Sequence, residues 1–205
     1  MSVERKPFNR DEQTYTRCYC EENIYMMCKN IATNDPELLE KSTVIFISNP
    51  NKTIPVWKQK RINDDGMPVI WDYHVILLCS LDEPLIYDLD TVLPFPCSLN
   101  QYVLEAFHPE LVLRADFKRR FRLIPASTYI REFASDRSHM LRDGEYIHPP
   151  PNYPPISTQD TSMNLFKYID MTSSDEPEKY GVVITEDEFL SFALSTNVEK
   201  EQFGE

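Results

Sequence analysis

The chain has 205 residues, 41% of them hydrophobic and 26% charged, a composition typical of one globular domain with a substantial core. Its formal charge of -12 (21 basic against 33 acidic residues) argues against a nucleic-acid partner, which requires clustered Lys and Arg. There is no N-terminal apolar segment of the secretory kind and no apolar run approaching the ~18 residues of a membrane helix. We therefore expect a cytoplasmic or nuclear protein that binds no membrane.

Five cysteines without the regular spacing of a disulfide framework indicate reduced thiols. We predict a single domain over residues 1–205, with flexible tails at 1–14 and 196–205.

The first predicted element is an amphipathic helix that begins at Cys20. Its apolar stripe has helical spacing and consists of Ile24, Met27, Cys28 and Ile31. The sequence Asn-Asp-Pro at 34–36 should end the helix. Cys20 therefore lies on the buried stripe, at the helix entrance.

Four β segments follow, at residues 43–48, 54–58, 68–79 and 85–90, with turn signals at 49–51 and 63–66. The connection 80–84 is short enough to join the last two segments as an antiparallel hairpin.

The second half of the chain alternates between helix and strand. Ser98 and Gln101 form a capping box that opens a helix through Phe107, and helix and strand alternate weakly over 119–134. The proline-rich residues 149–155 indicate an extended surface crossing. A late strand at 180–184 precedes a last helix capped by Thr185 and Glu188. These elements predict an α+β domain with a mainly antiparallel sheet flanked by helices.

Three residues have the types and the order of a thiol-based acyl-transfer site: Cys20, His74 and Asp88. Turning the hairpin about position 81 pairs residue 74 with 88 and residue 72 with 90. The Cβ atoms of His74 and Asp88 would then lie roughly 4.5–5.5 Å apart. A shift of two residues would bring Asp90 opposite His74 instead.

Strand alternation separates the side chains near His74 into two faces. Asp72, His74 and Ile76 should lie on one face, and Trp71, Tyr73, Val75, Leu77 and Cys79 on the other. The alternative is an exposed, solvated His–Asp pair. The apolar neighbours favour burial of both side chains, and each buried side chain would then require the other as its polar partner.

Cys20 is preferred over the other four thiols as the nucleophile. The free N–H groups and dipole of a helix N-terminus favour a thiolate, whereas the acids Glu21 and Glu22 oppose it. A structural role for Cys20 is the alternative. A metal site built from Cys18, Cys20, Cys28 and a histidine lacks a second paired-ligand element, so we predict no metal and no cofactor. His139 could be a loop contact or a neighbour of the site, and we interpret it as a structural residue.

Five segments carry a resemblance to a known family: CYCEEN (18–23), VIFISN (44–49), VIWDYH (69–74), IYDLDTVLPFPC (86–97) and FASDRSHM (133–140). They resemble the protein N-terminal glutamine amidohydrolase family from about Tyr15 to Phe192. The resemblance implies a papain-like or transglutaminase-like fold with Cys20, His74 and Asp88 as catalytic triad. It also implies an enzyme that converts the N-terminal glutamine of proteins and peptides to glutamate, for the arginine branch of the N-degron pathway. We expect a monomer.

Such a substrate requires recognition of a free ammonium, for which a carboxylate is suited. Asp90 is the preferred candidate, followed by Glu21 and Asp72, although each has an ordinary reading as a solvated or hydrogen-bonded acid. Aromatic pocket walls could come from Trp71, Tyr73 and Phe95, with a core position as the alternative. The rival functions are a cysteine protease, a transglutaminase-like acyl transferase and a non-catalytic adaptor that binds partners through residues 149–155.

Overall fold

The computed structural model describes residues 8–62 and 66–202, with side chains as far as residue 195. Residues 63–65 of the predicted turn at 63–66 lie outside the described residues. The same holds for residues 1–7 and 203–205 of the two predicted tails. Within the described part of the predicted N-terminal tail, Arg10 donates hydrogen bonds to the carbonyls of Thr91 (2.6 Å) and Leu93 (2.9 Å).

The described residues form ten strands and seven helices. The strands are β1 Ser42–Ser48, β2 Ile54–Val56, β3 Val69–Trp71, β4 His74–Cys79, β5 Leu85–Tyr87, β6 Cys97–Ser98, β7 Arg120–Pro125, β8 Leu141–Arg142, β9 Glu145–Tyr146 and β10 Val182–Thr185. The helices are α1 Cys20–Asn34, α2 Pro36–Glu40, α3 Leu99–Tyr102, α4 Ala126–Glu132, α5 Leu165–Ile169, α6 Pro177–Tyr180 and α7 Glu186–Gln202; a π-helical turn, Val103–Phe107, extends α3.

The central sheet has the strand order β10-β7-β1-β4-β5-β6, and its pairings are antiparallel. Alternation along β4 gives each face its own core. Val75 and Leu77 pack with α1 in one core, and Ile76 and Leu78 pack with α3 and α7 in the other. The α+β class with a mainly antiparallel sheet flanked by helices is therefore confirmed. No helix of the described chain is long and apolar enough to cross a bilayer.

The single strand predicted for residues 68–79 is wrong, because the chain leaves the sheet at residues 72 and 73. The Asp72 carboxylate accepts the N–H of Tyr73 (3.0 Å), and Ser48 Oγ donates to the Asp72 carbonyl (2.6 Å). β3 pairs with β2 instead of continuing along β1. The break moves Trp71 to the His74 side, where the two rings stack 5.2 Å apart.

The predicted hairpin register is wrong by two residues. β4 and β5 pair Leu77 with Tyr87 and Cys79 with Leu85, which continues to His74 opposite Asp90 rather than Asp88. β5 ends at Tyr87, however, so Asp88 is released from the ladder. Its Oδ1 caps the N–H of Asp90 (2.8 Å) and also lies beside His74, as described below.

Candidate active site

Helix α1 starts at Cys20 because the preceding chain is tied to the first helical turn. The Thr16 N–H donates to Asn23 Oδ1 and Asn23 Nδ2 donates to the Thr16 carbonyl, both at 2.8 Å. Cys18 adopts a φ of 68°, which bends the chain into the helix. The Cys20 thiol is thereby held at the helix N-terminus, as predicted.

The Cys20 thiol is neutral in the resting site. Its pKa is raised well above its ordinary value, first by burial and then by the Glu21, Asp90 and Asp72 charges. The thiol donates to Glu21 Oε2 at 3.7 Å, and a backbone hydrogen bond from Val75 acts in the opposite direction on the pKa. The predicted preference for thiolate at this helix N-terminus is therefore outweighed by burial.

His74 and Asp88 form a buried pair, with Nε2 and Oδ1 3.1 Å apart. Asp88 Oδ2 also accepts from Gln59 Nε2 (3.0 Å) and from the Tyr102 hydroxyl (2.8 Å). Burial works to raise the pKa of Asp88, but His74, the Gln59 side chain and the Asp90 N–H lower it to about 2. Burial works to lower the pKa of His74, but the carboxylates of Asp88 and, to a smaller extent, Asp90 more than offset it, so that pKa is raised.

The Nε2 contact orients the imidazole and leaves Nδ1 for proton transfer. Both ring nitrogens of His74 are buried, and neither has a hydrogen-bond partner of good geometry among the described residues: Nε2 approaches Asp88 Oδ1 as an ion-pair contact, and Nδ1 has no partner. Within the described residues, the Cys20 thiol and the His74 imidazole are not hydrogen-bonded to each other. Catalytic hydrogen bonds are often long or poorly aligned before substrate binds.

Asp90 lies close to the pair but has partners of its own. Its Oδ1 accepts the Tyr15 hydroxyl at 2.6 Å, and burial raises its pKa. One ligand atom from each of His74, Asp88 and Asp90 lies within 4.8 Å of the others, a spacing that a metal ion could use. Because both carboxylates already accept hydrogen bonds and the imidazole lies against Asp88, this geometry is that of a His–carboxylate ion pair with a neighbouring acid.

A cavity of about 400 Å³ opens beside the thiol. Five of the predicted site residues line it: Cys20, Trp71, Asp72, Tyr73 and Asp90. Glu21 lies behind this wall and accepts the Tyr73 hydroxyl at 2.9 Å. Phe95 is placed elsewhere, against the Tyr87 ring (5.1 Å between centroids), because the chain beyond Asp90 turns away from the cavity.

His139 also lines the cavity, which sequence reasoning missed. It is the middle residue of a short 3-10 turn, Ser138–Met140, which begins directly after the buried Arg137, a residue in a left-handed conformation (φ 65°). The sequence feature that could have identified His139 as a site residue is its position in the family-like segment 133–140. Periodicity carries no information on such a residue, because no regular element places it.

A buried thiol at a helix start, an oriented imidazole and an adjacent cavity are the features of a thiol-dependent acyl-transfer enzyme. The profile described as N-terminal glutamine amidase matches residues 15–193, so the chain belongs to this family.

Its relatives named protein N-terminal glutamine amidohydrolase include three vertebrate proteins. The Bos taurus protein is 47% identical over 191 residues, 92% of this chain and 90% of the relative. The Homo sapiens protein is 49% identical over 183 residues (88% and 87%). The Danio rerio protein is 49% identical over 179 residues (86% and 87%).

Proposed function

We propose that this chain hydrolyses the side-chain amide of an N-terminal glutamine in proteins and peptides, leaving glutamate and releasing ammonia. The observation that carries the chemistry is the buried His74–Asp88 pair, whose neighbours Trp71 and Asp90 line the same cavity as the Cys20 thiol. Family membership supplies the substrate.

In the first half-reaction, His74 Nδ1 takes the thiol proton as the Cys20 sulfur attacks the amide carbon. The oxyanion is stabilised by the Cys20 backbone N–H, since the first N–H groups of a helix lack intrahelical partners. His74 then passes its proton to the departing ammonia, which leaves a glutamyl thioester.

In the second half-reaction, His74 deprotonates a water molecule that attacks the thioester carbon. The resulting tetrahedral intermediate collapses and breaks the carbon–sulfur bond, and His74 returns its proton to the Cys20 sulfur. Glutamate is released and the enzyme is restored. Asp88 keeps its negative charge throughout and stabilises the imidazolium.

We also propose a fold family, an oligomeric state, a cellular location and a pathway for this enzyme. The thiol helix packed on an antiparallel sheet supports a papain-like or transglutaminase-like arrangement. We further propose a monomer that acts in the cytoplasm or nucleus and supplies the arginine branch of the N-degron pathway.

The test is ammonia release from peptides that begin with Gln, acetyl-Gln or Asn. We expect release from the first peptide only, and its loss in Cys20→Ala and His74→Ala. Cys97→Ala is the matched control, since this buried thiol packs in the other core.

Mass spectrometry of the product separates the rival functions. Conversion of amide to acid in an intact peptide supports the proposal. Chain cleavage would indicate a protease, and an amine cross-link would indicate a transglutaminase. Absence of both ammonia release and thiol alkylation would indicate an inert adaptor.

A further inference from the structure

His139 at the wall of the cavity and Glu21 directly behind it are buried, and each has hydrogen-bonding atoms without a partner among the described residues. Glu21 Oε1 and both ring nitrogens of His139 have no hydrogen-bond partner in the described residues. The Glu21 side chain is fully buried and that of His139 is 9% exposed. Oε1 and Nε2 lie 3.5 Å apart, close enough to attract but without hydrogen-bond geometry. Buried polar atoms in this condition cost free energy and call for an explanation.

The rest of Glu21 is firmly held, so the free oxygen has a fixed position. Its Oε2 accepts from the Tyr73 hydroxyl and from the Cys20 thiol, and its backbone carbonyl accepts from the Tyr129 hydroxyl (3.1 Å). One carboxylate therefore contacts the nucleophile through one oxygen and faces the cavity histidine through the other.

The other two candidate carboxylates are better satisfied. Asp90 accepts the Tyr15 hydroxyl, and the Lys60 ammonium lies nearby on the Leu89 carbonyl (2.9 Å). Asp72 is exposed and accepts a backbone N–H. Among the three, Glu21 combines full burial with an oxygen that lacks a donor, the condition in which a cationic ligand gains most.

We propose that Glu21 and His139 bind the α-ammonium of the substrate, and that this binding offsets the Glu21 charge beside Cys20 and so activates the thiol. The inference rests on the proposed function and names the recognition group of that same site. No hydrogen bond holds the His139 ring in the described structure, so the ring can turn and admit the ammonium to Glu21 Oε1. Side-chain rearrangements of this size are common on binding.

Recognition and catalysis are coupled through one carboxylate. Without substrate, Glu21 is the largest charge that keeps the Cys20 thiol protonated, second only to burial. A bound ammonium pairs with that charge and makes proton transfer from Cys20 to His74 easier. A blocked N-terminus brings no cation, so an acetylated glutamine would leave the thiol inactive even where it enters the cavity.

The decisive variant is Glu21→Gln, which keeps the shape of the side chain and removes its charge. We expect the ratio of kcat/KM for free against acetylated Gln peptides to fall roughly a hundredfold, the effect of removing one partner of a buried charge pair. In the absence of substrate, alkylation of Cys20 by iodoacetamide should become several times faster, because the Glu21 charge that opposes the thiolate is gone. Peptide mapping measures the alkylated fraction. Glu110→Gln, at an exposed site remote from the cavity, is the matched control and should change neither measurement.

The outcomes separate this inference from the proposed function. Wild-type protein inactive on Gln peptides would refute the function. An active wild type with an unchanged free-to-acetylated ratio in Glu21→Gln would refute the inference alone. A folded variant that loses both hydrolysis and alkylation would show only a structural role for Glu21. Loss of discrimination in Asp72→Asn or Asp90→Asn, with Glu21→Gln unaffected, would assign the amine to those carboxylates instead.

Discussion

At the scale of single residues, the carboxylate that contacts His74 decides when the imidazole can act as a base. Asp88 raises the pKa of His74 above its ordinary 6.5 against the effect of burial. The Cys20 thiol, with its raised pKa, stays neutral over the same range. Proton transfer from a neutral thiol needs a neutral imidazole, so activity should be lost as pH falls through the raised pKa of His74.

We therefore expect the acidic limb of the kcat/KM profile to have its midpoint above pH 6.5. In Asp88→Asn the charge that raises this pKa is gone while burial remains, so the midpoint should move to lower pH. The maximal kcat/KM should also fall by on the order of 10³ to 10⁴, because the imidazole is no longer oriented or stabilised as a cation. Steady-state ammonia release across pH measures both the midpoint of the acidic limb and the maximal kcat/KM. Asp116→Asn, at an exposed site, is the control, and an unmoved acidic limb in Asp88→Asn would exclude this role.

At the scale of elements, the first turn of α1 is anchored to the proline-rich crossing. Arg137 makes a bidentate pair with Glu22 (2.9 and 2.8 Å) and donates to the carbonyls of Pro151 (3.2 Å) and Pro154 (3.5 Å). Both charged side chains are buried, at 4% and 0% exposure. The crossing therefore has a structural role in holding the turn that carries Cys20, which leaves its carbonyls less available to an external partner.

Arg137→Met should lower the free energy of unfolding by about 3–5 kcal/mol, because Glu22 is left as an uncompensated buried charge. The double variant Glu22→Gln with Arg137→Met should recover part of that loss, since no buried charge remains. Urea unfolding of the two single variants and the double variant gives the coupling energy. Strictly additive losses would contradict a direct pairing of the two side chains.

At the scale of the whole molecule, the sheet divides the interior into two cores, and the site draws on both. Cys20 and α1 belong to the Val75 face, whereas Trp71, which stacks on His74 and lines the cavity, packs in the other core. On the other face, fully buried Arg119 donates to Glu186 of α7 and to the carbonyls of Pro55 (3.3 Å) and Phe107 (2.8 Å). This cluster joins the last helix to distant parts of the chain, and none of its members lines the cavity.

Glu186→Gln should therefore destabilise the fold without changing the chemistry. We expect a loss of about 3–5 kcal/mol in the free energy of unfolding, because the Arg119 charge is buried without its carboxylate. The kcat of the folded fraction should stay at the wild-type value at low temperature. Thermal unfolding measures stability and ammonia-release kinetics measure kcat. A selective loss of kcat in a stably folded variant would contradict a purely structural role for the Arg119–Glu186 pair.

The sequence alone was sufficient for the features that depend on local periodicity. The stripe of α1, its start at Cys20 and the capping contacts at Ser98 and Thr185 are set by neighbouring residues. The placement of His74 on a buried strand was predictable in the same way. The contact between His74 and Asp88 was also predicted, although through a pairing register that the sheet does not have.

Only the tertiary structure decided the contacts between residues that are distant in the chain. The break at residues 72 and 73, the release of Asp88 from the strand and the removal of Phe95 from the cavity depend on neighbouring elements. The meeting of Glu21 with His139 joins a helix start to an irregular turn. A sequence pattern of period 2 or 3.6 fixes which face a residue occupies within its element. It carries no information on which elements pack together, since that is set by burial and hydrogen bonding over the whole chain.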